Sequence, residues 1–91
     1  MKLRDITNKQ IILSGKESYN PTIYPQFEAQ INGEYCKIKA VYHEGGPIED
    51  IDITPLNDFM SDNIYNTLNF KEAQLIQDIL WDILRHCKTI N

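Results

Sequence analysis

Phe27-Glu28-Ala29-Gln30-Ile31-Asn32-Gly33-Glu34-Tyr35-Cys36-Lys37-Ile38 is the stretch from which the fold is read. Asn-Gly supplies the two positive-φ residues of a type I′ turn, the two-residue loop that matches the twist of paired strands. With Asn32-Gly33 as the loop, Ile31 pairs with Glu34, Ala29 with Cys36 and Phe27 with Ile38, while Glu28 pairs with Lys37 and Gln26 with Lys39 on the other face. Apolar groups oppose apolar groups on one side, and a carboxylate opposes an ammonium on the other. A slip of one residue would exchange the two faces, so this register is strongly specified.

Downstream, the second strand continues through Ala40 and Tyr42 and stops at Glu44-Gly45-Gly46-Pro47, where two glycines and a proline break the pairing. Ile48-Glu49-Asp50-Ile51-Asp52-Ile53 then reads as a strand with Ile51 and Ile53 inward and Asp50 and Asp52 in water. Upstream, Gln10 to Ser14 is a short β-branched run that makes a first strand, and Lys16 to Pro25, with two prolines, reads as a loop. Thr54-Pro55 has the form of a helix start, threonine as N-cap and proline at the first helical position. That start predicts a short helix from Leu56 to about Asn66, with Leu56, Phe59, Met60 and Ile64 at helical spacing. The main helix begins at Asn69, which forms a capping box with Glu72. Phe70, Ala73, Ile76, Ile79, Leu80, Ile83, Leu84 and Cys87 form its apolar stripe, and Gln74, Gln77, Asp78 and Arg85 its polar side. Leu75 and Trp81 lie beyond the edge of the stripe, with Trp81 on a flank open to a partner. The expected fold is therefore α+β, an antiparallel sheet of three to four strands packed against a C-terminal amphipathic helix, in one domain spanning residues 1–91.

A chain of 91 residues supports one hydrophobic core. Because small domains bury a modest share of their surface, homodimerisation is one way to add stability. The 42% hydrophobic and 24% charged composition is that of a folding chain rather than a disordered one. A net charge of −4 argues mildly against generic binding to nucleic acid or an anionic membrane. Cys36 and Cys87 belong to no CxxC or CxxH grouping, so buried reduced thiols are expected. The N-terminal residues show no apolar signal core, and no run approaches the roughly 18 apolar residues of a membrane span, which leads to a cytoplasmic expectation.

Candidate chemistry fails on spacing. His43 and Glu44 are adjacent in a strand end and point to opposite faces, and His86 and Cys87 are adjacent on a helix, where neighbours do not meet. The acidic group Glu44, Glu49, Asp50 and Asp52 lacks the spacing and closing glutamate of a calcium loop. Gly45-Gly46-Pro47 leads into a strand, not into the helix start that a phosphate loop needs. No catalytic, cofactor or metal residue is assigned, and the chain is expected not to be an enzyme.

Two surfaces remain. Glu44, Glu49, Asp50 and Asp52, with Tyr42 or Trp81 as an apolar anchor, form an acidic patch suited to a basic groove on another protein or nucleoprotein complex. Tyr35, Lys37 and Lys39, on one row of the hairpin, have the composition of a sheet that stacks bases and touches phosphates, and form the less favoured alternative.

The segment Ile51-Asp52-Ile53-Thr54-Pro55-Leu56, followed by Asn57-Asp58-Phe59, resembles the strand-to-helix junction of small phage and prophage proteins. With its length, acidity and hairpin-plus-helix layout, the chain is similar in type to phage-encoded inhibitors of host defence, including anti-CRISPR and anti-restriction proteins. What that resemblance implies is a non-enzymatic factor in the host cytoplasm that acts by occupying a surface of a larger complex.

Overall fold

The computed structural model describes residues 1–14, 22–57, 62–86 and 89–90, the last two by their backbone. Four antiparallel strands, β1 (Leu3–Ser14), β2 (Thr22–Ile31), β3 (Glu34–Tyr42) and β4 (Ile48–Pro55), run as a meander, and helix α1 (Phe70–His86) follows a 3-10 turn at Ile64–Thr67. A two-residue strand, β5 (Thr89–Ile90), joins β1 in parallel, giving the order β4-β3-β2-β1-β5. The α+β architecture expected from the sequence is the one observed.

The Asn32-Gly33 hairpin forms in the expected register, with Ile31 opposite Glu34, Ala29 opposite Cys36, Phe27 opposite Ile38, Glu28 opposite Lys37 and Gln26 opposite Lys39. Asn32 and Gly33 both take positive φ, at 53° and 84°, as a type I′ turn requires. Phe27, Ala29, Ile31, Cys36, Ile38 and Ala40 are buried on one face. There they meet Ile51 and Ile53 of β4 and Ile76, Leu80 and Ile83 of α1. These three helix residues recur at four and three positions, the spacing that keeps side chains on one line of a helix.

Three β-bulges shape the sheet. In β1, Asp5 and Ile6 together oppose Ala29, and Asn8 and Lys9 together oppose Phe27; in β4, Asp50 and Ile51 together oppose Ala40. The first residue of each bulge has positive φ, at 55°, 51° and 51° for Asp5, Asn8 and Asp50. Aspartate and asparagine are the non-glycine residues that tolerate this left-handed conformation best, so the sequence itself marks the bulges.

Four expectations are corrected. The first strand starts at Leu3 rather than Gln10, because the two bulges break the period-two alternation on which recognition of a strand depends. The expected loop ending at Pro25 gives way at Thr22 to β2, and Pro25 is buried opposite Ile11, where the β2–β3 pairing passes from Gln26–Lys39 to Ile23–Tyr42. Thr54-Pro55 ends β4 instead of starting a helix: Thr54 pairs with Lys37 and Pro55 with Cys36. Phe70 lies outside the apolar stripe and is 83% exposed, since six residues before Ile76 the helix has turned about a third of a revolution from the buried line. Phe59, Met60 and Cys87, named for the short helix and the main stripe, fall outside the described residues.

The capping box at the start of α1 is present, with the Glu72 amide donating to Asn69 Oδ1 at 2.9 Å and the Asn69 amide donating to Glu72 Oε1 at 3.1 Å. Among the described residues no helix is long and apolar enough to cross a membrane.

Candidate functional site: the uncovered face of the sheet

With α1 on one face, the alternate residues of each strand are left on the other, which no described helix covers. Sheet register places them in rows across the strands: Arg4, Gln30 and Tyr35; then Thr7, Glu28, Lys37 and Thr54; then Gln10, Gln26, Lys39 and Asp52. Gln26 is buried in this third row, while Lys39 beside it is exposed. Tyr35 is 52% exposed in the first row, Arg4 is exposed and Lys37 is half-buried. The row Tyr35, Lys37 and Lys39 expected from alternation is thus assembled on one side of β3.

Arg4 and Lys2 join it, and the sequence reading had passed over both. They line a cleft of about 280 Å³ with Gln30, Asn32 and Gly33. Reciprocal bonds hold Lys2 in place: its backbone amide donates to Asn32 Oδ1 at 2.9 Å, and the Asn32 amide donates to the Lys2 carbonyl at 2.9 Å. A second cleft, of about 360 Å³, is lined by Lys37, Lys39, Asp52, Thr54, Pro55 and Leu56. Tyr35 stands between the two.

Two carboxylates on this face, those of Glu28 and Asp52, accept hydrogen bonds from neutral donors. Asn8 Nδ2 donates to Glu28 Oε2 at 3.1 Å, and the Thr54 hydroxyl donates to Asp52 Oδ2 at 3.1 Å. Among the described residues the ion pair is that of the Met1 amino group with Glu72 at 3.0 Å, and the His86 ring lies 3.6 Å from the Asp82 carboxylate. Register therefore brings Glu28 opposite Lys37 and Asp52 opposite Lys39 without an ion pair forming in either case. Four cationic groups, on Lys2, Arg4, Lys37 and Lys39, share the face with Glu28 and Asp52, which are already hydrogen-bonded, and with Glu49, which lies toward the β3–β4 turn.

The acidic patch divides between two sides of the sheet. Glu49, opposite Val41, and Asp52 project from the uncovered face of β4, Asp50 is exposed at the bulge, and Glu44 is exposed in the turn between β3 and β4. Tyr42 and Trp81, the anchors expected to accompany them, lie on the helix side. Their rings meet edge to face with centroids 5.4 Å apart, and Tyr42 is opposite Ile23. The Tyr42 hydroxyl also accepts a hydrogen bond from the Gly45 amide at 3.3 Å, so this tyrosine braces the turn that carries Glu44.

The edge of β4 is closed by a side chain. Asn63 Oδ1 accepts from the Ile53 amide at 2.8 Å while Asn63 Nδ2 donates to the Ile51 carbonyl at 2.9 Å, as a neighbouring strand would. The same Oδ1 accepts from the Tyr65 amide at 3.0 Å and caps the 3-10 turn. Pro55, two positions beyond Ile53, has no N–H to offer at that edge.

Other reactive groups are placed for packing. Cys36 is buried, its thiol is pushed up by burial and then by the nearby Glu34 charge, and Sγ donates to the Glu34 carbonyl at 3.4 Å. His43 and His86 are exposed. Among the described residues no three His, Cys, Asp or Glu side chains gather as metal ligands would. Comparison with protein-family models, curated proteins and solved structures finds no match for this chain.

Proposed function

We propose that the protein is a non-enzymatic binding module that engages a polyanionic partner through the hairpin half of its uncovered sheet face. The observation that carries this reading is the charge arrangement: exposed Lys2, Arg4 and Lys39 and half-buried Lys37 have no described carboxylate at ion-pair distance, while Glu28 and Asp52 are occupied by Asn8 and Thr54. Cations held on a rigid sheet without internal partners attract an anionic polymer by counterion release, even on a chain with a net charge of −4, because the local field decides docking.

A second reading rests on the opposite end of the same molecule. Glu44, Glu49 and Asp50 are exposed around the β3–β4 turn, and the bulge at Asp50 breaks the regular pairing of the edge strand there. This supports a protein-docking surface for a basic groove, the mode implied by the resemblance to phage inhibitors of host defence complexes.

One charge-reversal experiment separates the two. Retention of the protein on immobilised heparin at low salt is expected to fall sharply for Lys37→Glu/Lys39→Glu and to remain for Asp50→Lys. If the lysine variant elutes with the parent protein, the basic-face reading is wrong. If a co-purified partner is lost only from the aspartate variant, the acidic end is the working surface.

A further inference from the structure

We infer that the polyanion is a single-stranded nucleic acid, laid over Tyr35 with one base stacked on the phenol ring and its flanking phosphates in the two basic clefts. This deepens the polyanion reading above and rests on it. The two clefts lie on either side of Tyr35, one bearing Lys2 and Arg4 and the other Lys37 and Lys39. Strand geometry sets the scale: Tyr35, Lys37 and Lys39 succeed one another at about 7 Å along β3, and Arg4 stands about 10 Å across the sheet from Tyr35. Cations therefore approach a central aromatic ring from two directions, which is what a backbone needs when it passes a platform and presents a base to it.

Three features select a single strand over other anions. A tyrosine that is 52% exposed beside two clefts that carry cations has an aromatic surface that an acidic peptide would leave unused. Stacking on that ring requires an unpaired base, because bases in a duplex are already stacked on one another. Duplex recognition in the major groove needs a protruding helix or ribbon, and the surface here is a broad sheet. Gln30, opposite Tyr35, adds a neutral hydrogen-bonding group beside the ring, where base edges would lie.

The test is fluorescence anisotropy with a labelled oligothymidylate, a hairpin duplex of equal charge and poly-glutamate, over a series of salt concentrations. The single strand is expected to bind more tightly than the duplex or poly-glutamate. Tyr35→Ala should weaken that binding about tenfold or more, with the salt slope unchanged, and Tyr35→Phe should restore it. Lys37→Gln/Lys39→Gln should lower the slope of log affinity against log salt by about 1.4, the value for two contacts to a single strand. Circular dichroism of each variant checks that the sheet is intact. Equal, salt-dependent binding of all three polyanions with no effect of Tyr35→Ala would overturn the single-strand inference and leave the polyanion reading standing. No binding of any of them at low salt would overturn both.

Discussion

At the scale of single residues, Asn63 does the work of a missing strand. Its amide satisfies the Ile51 carbonyl and the Ile53 amide of β4 and caps the following turn through the Tyr65 amide. Asn63→Ala removes three hydrogen bonds at once and is expected to destabilise the fold by about 1 to 3 kcal/mol. Asn63→Asp, which keeps the acceptor and loses the donor facing the Ile51 carbonyl, should fall between the alanine variant and the parent. Urea denaturation measures both, and an alanine variant as stable as the parent would show that water replaces the side chain without loss. Asp5, Asn8 and Asp50 belong to the same scale: each is a short polar residue at the one backbone conformation where a larger side chain is strained.

At the scale of elements, α1 is held at its first turn by the capping box. Glu72 has its carboxyl held below the usual glutamate range, first by the hydrogen bond from the Asn69 amide and then by that with the Met1 amino group. A carboxyl whose folded value is depressed contributes stability above its unfolded value and loses that contribution as pH falls through the folded one. Melting midpoints of the parent and Glu72→Gln should therefore differ most near neutrality and converge in acid below the ordinary carboxylate range. A difference that persists unchanged into acid would mean that the charge on Glu72 is immaterial. This cap was legible in the sequence because Asn69 and Glu72 are three residues apart and both bonds are local. The hairpin was legible for a similar reason, since Asn32-Gly33 fixes the turn and every pair follows from it. The extent of β1 was not, because Asp5 and Asn8 insert bulges that shift the pattern out of phase twice within six residues. Arg4 and Lys2 were lost from the candidate site with it, whereas Tyr35, Lys37 and Lys39 were found because β3 alternates without interruption. Thr54-Pro55 misled because proline fits equally well at the first turn of a helix and at the open side of an edge strand.

At the scale of the whole molecule, the packed core and the proposed binding surface occupy opposite faces of one sheet. Ile76, Leu80 and Ile83 close the core on one face. Lys37 and Lys39 stand on the other, where no described carboxylate makes an ion pair with them. Lys37→Gln/Lys39→Gln is accordingly expected to leave unfolding free energy within about 0.5 kcal/mol of the parent, whereas Leu80→Ala should cost about 2 to 5 kcal/mol. Chemical denaturation of the two variants side by side tests the separation, and a large loss of stability from the lysine pair would place them in the framework of the fold.

The uninterrupted alternation of β3 has a consequence for how such a protein changes over generations. Cys36, Ile38 and Ala40 are constrained by packing, but Tyr35, Lys37 and Lys39, interleaved with them one for one, are not. On the proposed function, selection for a new target can rewrite the odd-numbered positions while the even-numbered ones stay fixed. Under rapid adaptation to a changing partner, the scaffold would persist while its surface lost any resemblance to its ancestor.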